Sequence, residues 1–105
     1  MKKLVAHIIT LTLALLLTNM AQAQTNQAKI DQLRNSARVH DQQAKAYDAK
    51  AQRYEDAAKA SPKPKPAAIA KYEADAKTLR NMAAEQRKLA QEKNAEADRL
   101  QKAKP

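Results

Sequence analysis

The sequence predicts an all-α fold in which two long antiparallel helices form an alanine-rich coiled-coil hairpin, after a cleaved signal peptide. Glycine is absent, and the residue types that dominate the chain favour helix. Alanine recurs every seven residues in two ladders, a spacing that brings small side chains to one seam of a coiled coil. A proline-rich stretch at residues 61–66 separates the ladders and predicts the point of chain reversal. The ladders are Ala37, Ala44, Ala51 and Ala58, followed by Ala76, Ala83, Ala90 and Ala97.

Residues 1–23 have the pattern of a secretory signal peptide. Two lysines precede an apolar run that ends at Leu17, and Ala21 and Ala23 supply small residues at the two positions that determine cleavage. An uncleaved transmembrane anchor is the alternative, but the apolar run has about 15 residues where a span needs about 20. We therefore expect cleavage before Gln24 and a periplasmic or secreted mature protein.

The mature chain is predicted to be a single elongated domain. It would keep 82 residues, with 18 Lys and Arg against 11 Asp and Glu once Lys2 and Lys3 are removed, a net charge of +7. Large apolar side chains are too few to build a compact core from a chain of this length. Cysteine is absent, so no disulfide can compensate for the small core.

The first helical arm covers residues 24–60, with a helix from about Asn26, its expected N-cap, to Ala60. The helix should end there because a residue that precedes proline avoids the α region and proline cannot donate a helical hydrogen bond. Heptad spacing over about four repeats places two sets of residues on one stripe of this helix. One seam position holds Ile30 with the first alanine ladder, and the other holds Leu33, His40, Tyr47 and Tyr54.

The second helical arm covers residues 67–105, including a short C-terminal tail, and follows a Pro/Lys-rich turn at residues 61–66. Pro66 suits the first helical position, where an N–H has no helical partner, and the helix should continue to about Lys102. One seam position holds Ile69 with the second alanine ladder, and the other holds Tyr72, Leu79, Gln86, Lys93 and Leu100.

Gln86 and Lys93 interrupt the apolar stripe of the second arm. Met82 and Leu89 lie beside this stripe, so we expect the apolar face to drift toward them in the middle of the arm. Acidic residues followed four positions later by lysine also predict ion pairs within each helix, each contributing about 0.2 to 0.5 kcal/mol. These pairs are Asp41 with Lys45, Glu55 with Lys59, Glu73 with Lys77, and Asp98 with Lys102.

Antiparallel pairing would place side by side residues whose numbers sum to about 127, such as Ala51 with Ala76. A shift by three or four residues would keep most apolar groups on the seam, so the sequence leaves the register open. It also leaves open whether the arms close within one chain or pair between two chains, because domain swapping at the proline-rich turn gives the same contacts.

The sequence carries no pattern typical of catalysis or of cofactor or metal binding. Without cysteine, and with His40 as the single histidine after cleavage, a zinc or copper site lacks ligands. Without glycine, a phosphate-binding loop cannot form. The carboxylates are scattered and mostly four residues from a base, which indicates solvated ion pairs rather than a paired acid and base. We therefore expect no enzyme activity, no cofactor and no metal.

These observations predict a structural or protein-interaction module of the bacterial cell envelope, with a second copy or another helical envelope protein as partner. The alternative is a basic protein that contacts peptidoglycan, acidic lipid or polysaccharide. Nucleic acid is not expected as a partner, because an exported chain seldom meets it. In addition, aromatic residues that could stack on nucleotides are not interleaved with the lysines and arginines. Stable membrane insertion of the mature arms is not expected either, because their apolar faces are mostly alanine. The candidate anion contacts are Lys59, Lys63, Lys65 and Lys71.

Overall fold

The computed structural model describes the backbone of residues 2–103 and the side chains of residues 25–103, and over this range it is all-helical. Helix α1 spans Lys2–Ala58, helix α2 spans Pro66–Lys102, and the two helices pack together. The chain measures 95 × 15 × 14 Å. The longest dimension follows from α1, whose 57 residues extend about 85 Å at 1.5 Å per residue, and the narrow cross-section is that of two helices side by side.

Along the contact, residue numbers rise in α1 while they fall in α2, so the pair is an antiparallel hairpin. Arg34 contacts Asp98 at one end of the rod. The rings of Tyr54 and Tyr72 lie 6.1 Å apart, centroid to centroid, near the turn. The predicted fold of two long helices packed together is confirmed, and it includes no strand within residues 2–103.

Helix α1 ends at Ala58, two residues before the predicted end at Ala60. Two backbone hydrogen bonds follow the end of the helix. The N–H of Lys59 donates to the carbonyl of Asp56 at 3.1 Å, and the N–H of Ala60 donates to the carbonyl of Ala57 at 3.3 Å. These bonds span three residues, as in a 3₁₀ turn, and satisfy carbonyls at the end of the helix. The peptide bond between Ser61 and Pro62 is cis.

Helix α2 begins at Pro66, which follows an extended residue, Lys65, with φ −60° and ψ 147°. The carbonyl of Lys65 accepts hydrogen bonds from the N–H groups of Ala68 at 2.9 Å and Ile69 at 3.0 Å. Proline fits this first position because it has no N–H to leave unpaired and its φ is already helical. The helix ends at Lys102.

Helix α1 also extends on the N-terminal side of the first arm, back to Lys2. Its backbone passes through Asn26 without interruption, so Asn26 is not an N-cap in the full chain. The physical reason is that neither glycine nor proline occurs between Lys2 and Ala58 to end the helix. The side chains of the predicted signal peptide, residues 1–23, and the tail residues 104 and 105 lie outside those that the structure describes, so cleavage before Gln24 stays a prediction.

The core is a single line of small side chains between the helices. Every residue that is buried among residues 25–103 belongs to the predicted seam, and none of them is polar. Alanine carries most of this line because its small side chain lets the two backbones approach closely. The buried residues are Ile30, Ala37, Ala44, Ala51, Ala58, Ala76, Leu79, Ala83, Ala90 and Ala97.

The remaining seam residues are half-buried and flank the alanine line. They include all three tyrosines, and two of these, Tyr47 and Tyr54, pack against a buried cluster of Ala51, Ala76 and Leu79. Apart from Leu79, large side chains at the second seam position thus cover the sides of the contact rather than its centre. The half-buried apolar and aromatic members are Leu33, Tyr47, Tyr54, Ile69, Tyr72 and Leu100.

The predicted drift of the apolar face toward Met82 is wrong. Met82 is 40% exposed and Leu89 is only half-buried, whereas Leu79 and Ala83 remain buried at their seam positions. The line of closest approach is set by the alanine ladders, so a bulkier residue beside it is left at the edge. Within the part of the chain that the structure describes, no helix combines the length and the apolar character that crossing a membrane requires.

Candidate functional site

The most extensive polar contact between the helices is centred on Arg80 of α2. Its Nε and Nη2 atoms donate to the two carboxylate oxygens of Glu55 at 3.0 and 3.1 Å. Its Nη1 donates to Asp48 at 3.0 Å, and Nη2 also donates to Gln52 at 3.2 Å. Arg87 donates to the other oxygen of Asp48. We call these five residues the Arg80 cluster; they span about two turns of each helix, and the planar fork of the Arg80 guanidinium contacts three residues of α1.

Hydrogen bonds in the Arg80 cluster favour the charged forms of Asp48, Glu55 and Arg80. The hydrogen bond from Arg87, followed by that from Arg80, holds the pKa of Asp48 below its usual value despite some desolvation. The hydrogen bond from Arg80 likewise lowers the pKa of Glu55, and Glu55 and Asp48 raise the pKa of Arg80. The cluster is therefore suited to holding two helices in one register, and these shifts move its groups away from proton exchange near neutral pH.

None of the four predicted ion pairs within helices forms between the described residues, and two of the four acids pair with the facing helix instead. Asp98 pairs with Arg34 at 3.0 Å, and Glu55 pairs with Arg80, instead of with the lysine four residues further along each helix. An arginine fork on the facing helix offers several aligned donors, whereas a lysine one turn away is a mobile point charge. The prediction was wrong for these two acids because heptad spacing does not show which bases face them.

A polar pair crosses the seam at the position of the single histidine in the described region. Nδ1 of His40 lies 2.7 Å from Oε1 of Gln86, and both side chains are half-buried. With the amide oxygen as acceptor, Nδ1 carries the proton. Gln86, which interrupts the apolar stripe in the sequence, is thus paired with the one other polar residue that faces it. No buried side-chain nitrogen or oxygen lacks a partner among residues 25–103.

Arginine and lysine occupy different environments on this rod. All the ion pairs between described residues use arginine, four of them between the helices and one, Arg99 with Glu96, within α2. No lysine takes part in these ion pairs. The lysine ammonium groups are therefore left to the solvent or to an external partner, and the arginines stabilise the hairpin itself.

The hairpin tip, residues 59–71, carries the four lysines predicted to contact anions, and all four are exposed. Lys63 and Lys65 line an open groove of about 660 Å³, whereas Lys59 and Lys71 lie outside its lining. We call this concavity the tip groove; its other lining residues are Pro64, Pro66, Ile69, Ala70 and Glu73. The structure thus brings two of the four predicted lysines to one site, and it adds an apolar surface and an acidic residue that sequence reasoning missed. The proline-rich turn next to the first seam residue of α2 was the signal for that surface.

Over the described residues, no group of three or more His, Asp or Glu side chains could hold a metal ion. Comparison with protein-family models, with curated proteins and with solved structures finds no match to this chain. Its function is therefore argued from the rod, its charge distribution and the tip groove.

Proposed function

We propose that this protein is a non-enzymatic, exported coiled-coil hairpin that acts as a structural or protein-interaction module of the bacterial cell envelope. The observation that carries the proposal is the packing of the seam. It is closed within one chain and built mainly from alanine, while the tip lysines and the tip groove are exposed. Such a rod offers a long exterior to a helical envelope protein or to a second copy.

The small seam is the physical reason to expect a partner. At roughly 25 cal/mol per Å² of buried apolar surface, alanine contributes little stability for each ordered residue. A partner that binds only the folded hairpin stabilises it by mass action. Because the alanine ladders are already buried, this partner would contact the outer faces or the tip.

Export is tested by the mass of the mature chain. In a Gram-negative host that expresses the full gene with a C-terminal tag, we expect a periplasmic product that begins at Gln24. Ala23→Asp should block cleavage, because the position before the cut requires a small uncharged residue. Ala46→Asp, an exposed change in the middle of the first arm, is the matched control and should be exported normally. A cytoplasmic chain that keeps its first 23 residues would refute the location.

Partner binding is tested with a photo-crosslinking amino acid placed in turn at two positions of α1. Val39 is 57% exposed and should crosslink to a partner in intact cells, whereas Ala51 is fully buried and should crosslink only within the hairpin. Light scattering over a range of concentrations then shows whether that partner is a second copy. A strictly monomeric hairpin that forms no adduct from Val39 would refute the interaction role.

A second candidate function, binding of an envelope polyanion, is favoured by the four exposed lysines within the 13 residues of the hairpin tip. If it is correct, replacing all four with glutamine should abolish sedimentation with isolated cell-wall sacculi or anionic vesicles, and salt should do the same. A matched control variant replaces four exposed lysines elsewhere and should sediment normally. The tip set is Lys59, Lys63, Lys65 and Lys71, and the control set is Lys45, Lys77, Lys88 and Lys102. Equal sedimentation of both variants would refute this function.

A further inference from the structure

The tip groove combines three properties that together define a ligand class. Its lining includes apolar surface from prolines and from Ile69, two lysines, and the carboxylate of Glu73. Its volume of about 660 Å³ lies within the range of about 300 to 1,000 Å³ that is usual for small-ligand pockets. We propose that the tip groove binds an acidic polypeptide segment of a partner protein, which places one apolar side chain between the prolines and Ile69.

The apolar part of the groove is where the seam reaches the turn. Ile69 is the first seam residue of α2 and is only half-buried, unlike the alanines that continue its ladder. Pro64 is also half-buried and lies beside it in the groove. An apolar side chain inserted here would extend the seam by one layer and remove this surface from water.

The wall of the groove is stiff before any ligand binds. Proline fixes φ at Pro64 and Pro66, and a residue that precedes proline is restricted to extended conformations. Lys65 has this extended conformation, with φ −60° and ψ 147°. A site that is already ordered loses little conformational entropy on binding, so a short segment can bind with useful affinity.

The charges of the groove distinguish a polypeptide from a uniform polyanion. Lys63 and Lys65 attract acidic groups, and neither takes part in an ion pair among the described residues. Glu73, in the same groove, would repel an anionic bilayer or an acidic glycan. A polypeptide can place acidic side chains against the two lysines and a basic side chain against Glu73, with an apolar side chain between the prolines and Ile69. This inference rests on the proposed role in protein interaction and names the surface and the kind of segment involved.

Selection from a phage-displayed library of random heptapeptides tests the proposal on the protein as purified from expressing cells. We expect enrichment of peptides that carry two or more acids next to an aliphatic residue. Enrichment should fall at least tenfold on the Lys63→Gln, Lys65→Gln double variant and stay unchanged on a Lys77→Gln, Lys88→Gln control. No shared acidic pattern, or equal enrichment on the two double variants, would overturn the proposal.

Charge reversal in the groove gives an independent readout. Two synthetic versions of the best selected peptide, one ending in lysine and one in glutamate, are titrated by fluorescence anisotropy. Glu73→Lys should weaken binding of the lysine-ended peptide and strengthen that of the glutamate-ended one. Vesicles that contain anionic phospholipid serve as the competing probe. Stronger vesicle binding by Glu73→Lys, together with unchanged peptide affinities, would overturn the proposal in favour of a membrane surface.

Crosslinking separates a failure of this inference from a failure of the proposed function. If the Lys63→Gln, Lys65→Gln variant keeps every partner adduct formed from Val39, the protein is an interaction module that does not use the tip groove. If the unmodified protein forms no adduct at all, the proposed function itself fails.

Discussion

Truncation of Leu79 to alanine should destabilise the hairpin strongly, because this is the largest buried side chain in the middle of the rod. Leu79 is 9% exposed and packs with Ala51, Ala76 and the tyrosines Tyr47 and Tyr54. Leu79→Ala removes three carbon groups, and at about 0.8 kcal/mol for each buried group the transfer cost is about 2.4 kcal/mol. The cavity left by the truncation adds to this cost, whereas relaxation of the neighbouring half-buried side chains reduces it. We therefore expect the free energy of unfolding to fall by about 2 to 3 kcal/mol.

This loss is a large part of the stability that a domain of this size can have. At about 0.05 to 0.15 kcal/mol per residue, an 82-residue mature chain would have about 4 to 12 kcal/mol in total. The midpoint of thermal unfolding should fall by about 8 to 24 °C, given about 4 to 8 °C per kcal/mol for small domains. Urea and thermal unfolding followed by far-ultraviolet circular dichroism would measure both quantities.

The matched control is Met82→Ala, three residues further along the same helix. Met82 is 40% exposed, so its truncation should cost less than about 1 kcal/mol. Alanine is the best helix former, so intrinsic helix propensity cannot explain a loss in either variant. Equal destabilisation by the two changes, or a Leu79→Ala cost below about 0.5 kcal/mol, would refute the packing described for the seam. Measurements at two protein concentrations would show whether dissociation of an oligomer contributes.

Three further predictions concern the polar contacts between the helices. Because the pKa of Asp48 is lowered by folding, its stabilisation is present above the ordinary carboxylate range near pH 4 and is lost as pH falls through the lower folded value. Asp48→Asn should therefore flatten the acid limb of a plot of unfolding free energy against pH, and an unchanged acid limb would contradict the contact. With cysteines in place of Ala51 and Ala76, a disulfide should form readily in the otherwise unchanged chain. Arg80→Gln should lower its yield by loosening the register, and an equal yield would show that the Arg80 cluster does not fix it. His40→Leu alone should destabilise the hairpin by leaving the facing glutamine unpaired, whereas changing both residues to leucine should restore stability; additive losses in a double-mutant cycle would argue against the pair.

Substitutions of arginine and of lysine should have different effects on this protein. Arginines form the ion pairs between described residues, so changing them alters the hairpin as well as its exterior. The tip lysines form none of these pairs, so Lys63 and Lys65 can be changed to probe binding with little effect on folding. This separation makes the tip variants clean tests of function.

The sequence by itself determined the fold class, the line of the core and the site of chain reversal. Heptad alanines such as Ala44 and Ala83 place small side chains on one stripe, and this local periodicity is enough to predict which face each helix buries. Proline acts on its own backbone and on its neighbour, so Pro66 at the start of α2 could also be predicted. The prediction that the first helix begins at Asn26 fails for the full chain, because neither glycine nor proline precedes Asn26 to end the helix there.

The register of the hairpin depends on contacts between residues that are distant in sequence. An alanine seam is nearly the same after a shift of one turn, so its packing energy does not select one alignment. The selection comes from polar groups distant in sequence, Arg80 with Glu55 and His40 with Gln86, whose hydrogen bonds form in only one alignment. The tip groove has a different origin, because one continuous segment, residues 63–73, supplies its whole lining, and its shape depends on the backbone conformation of the turn.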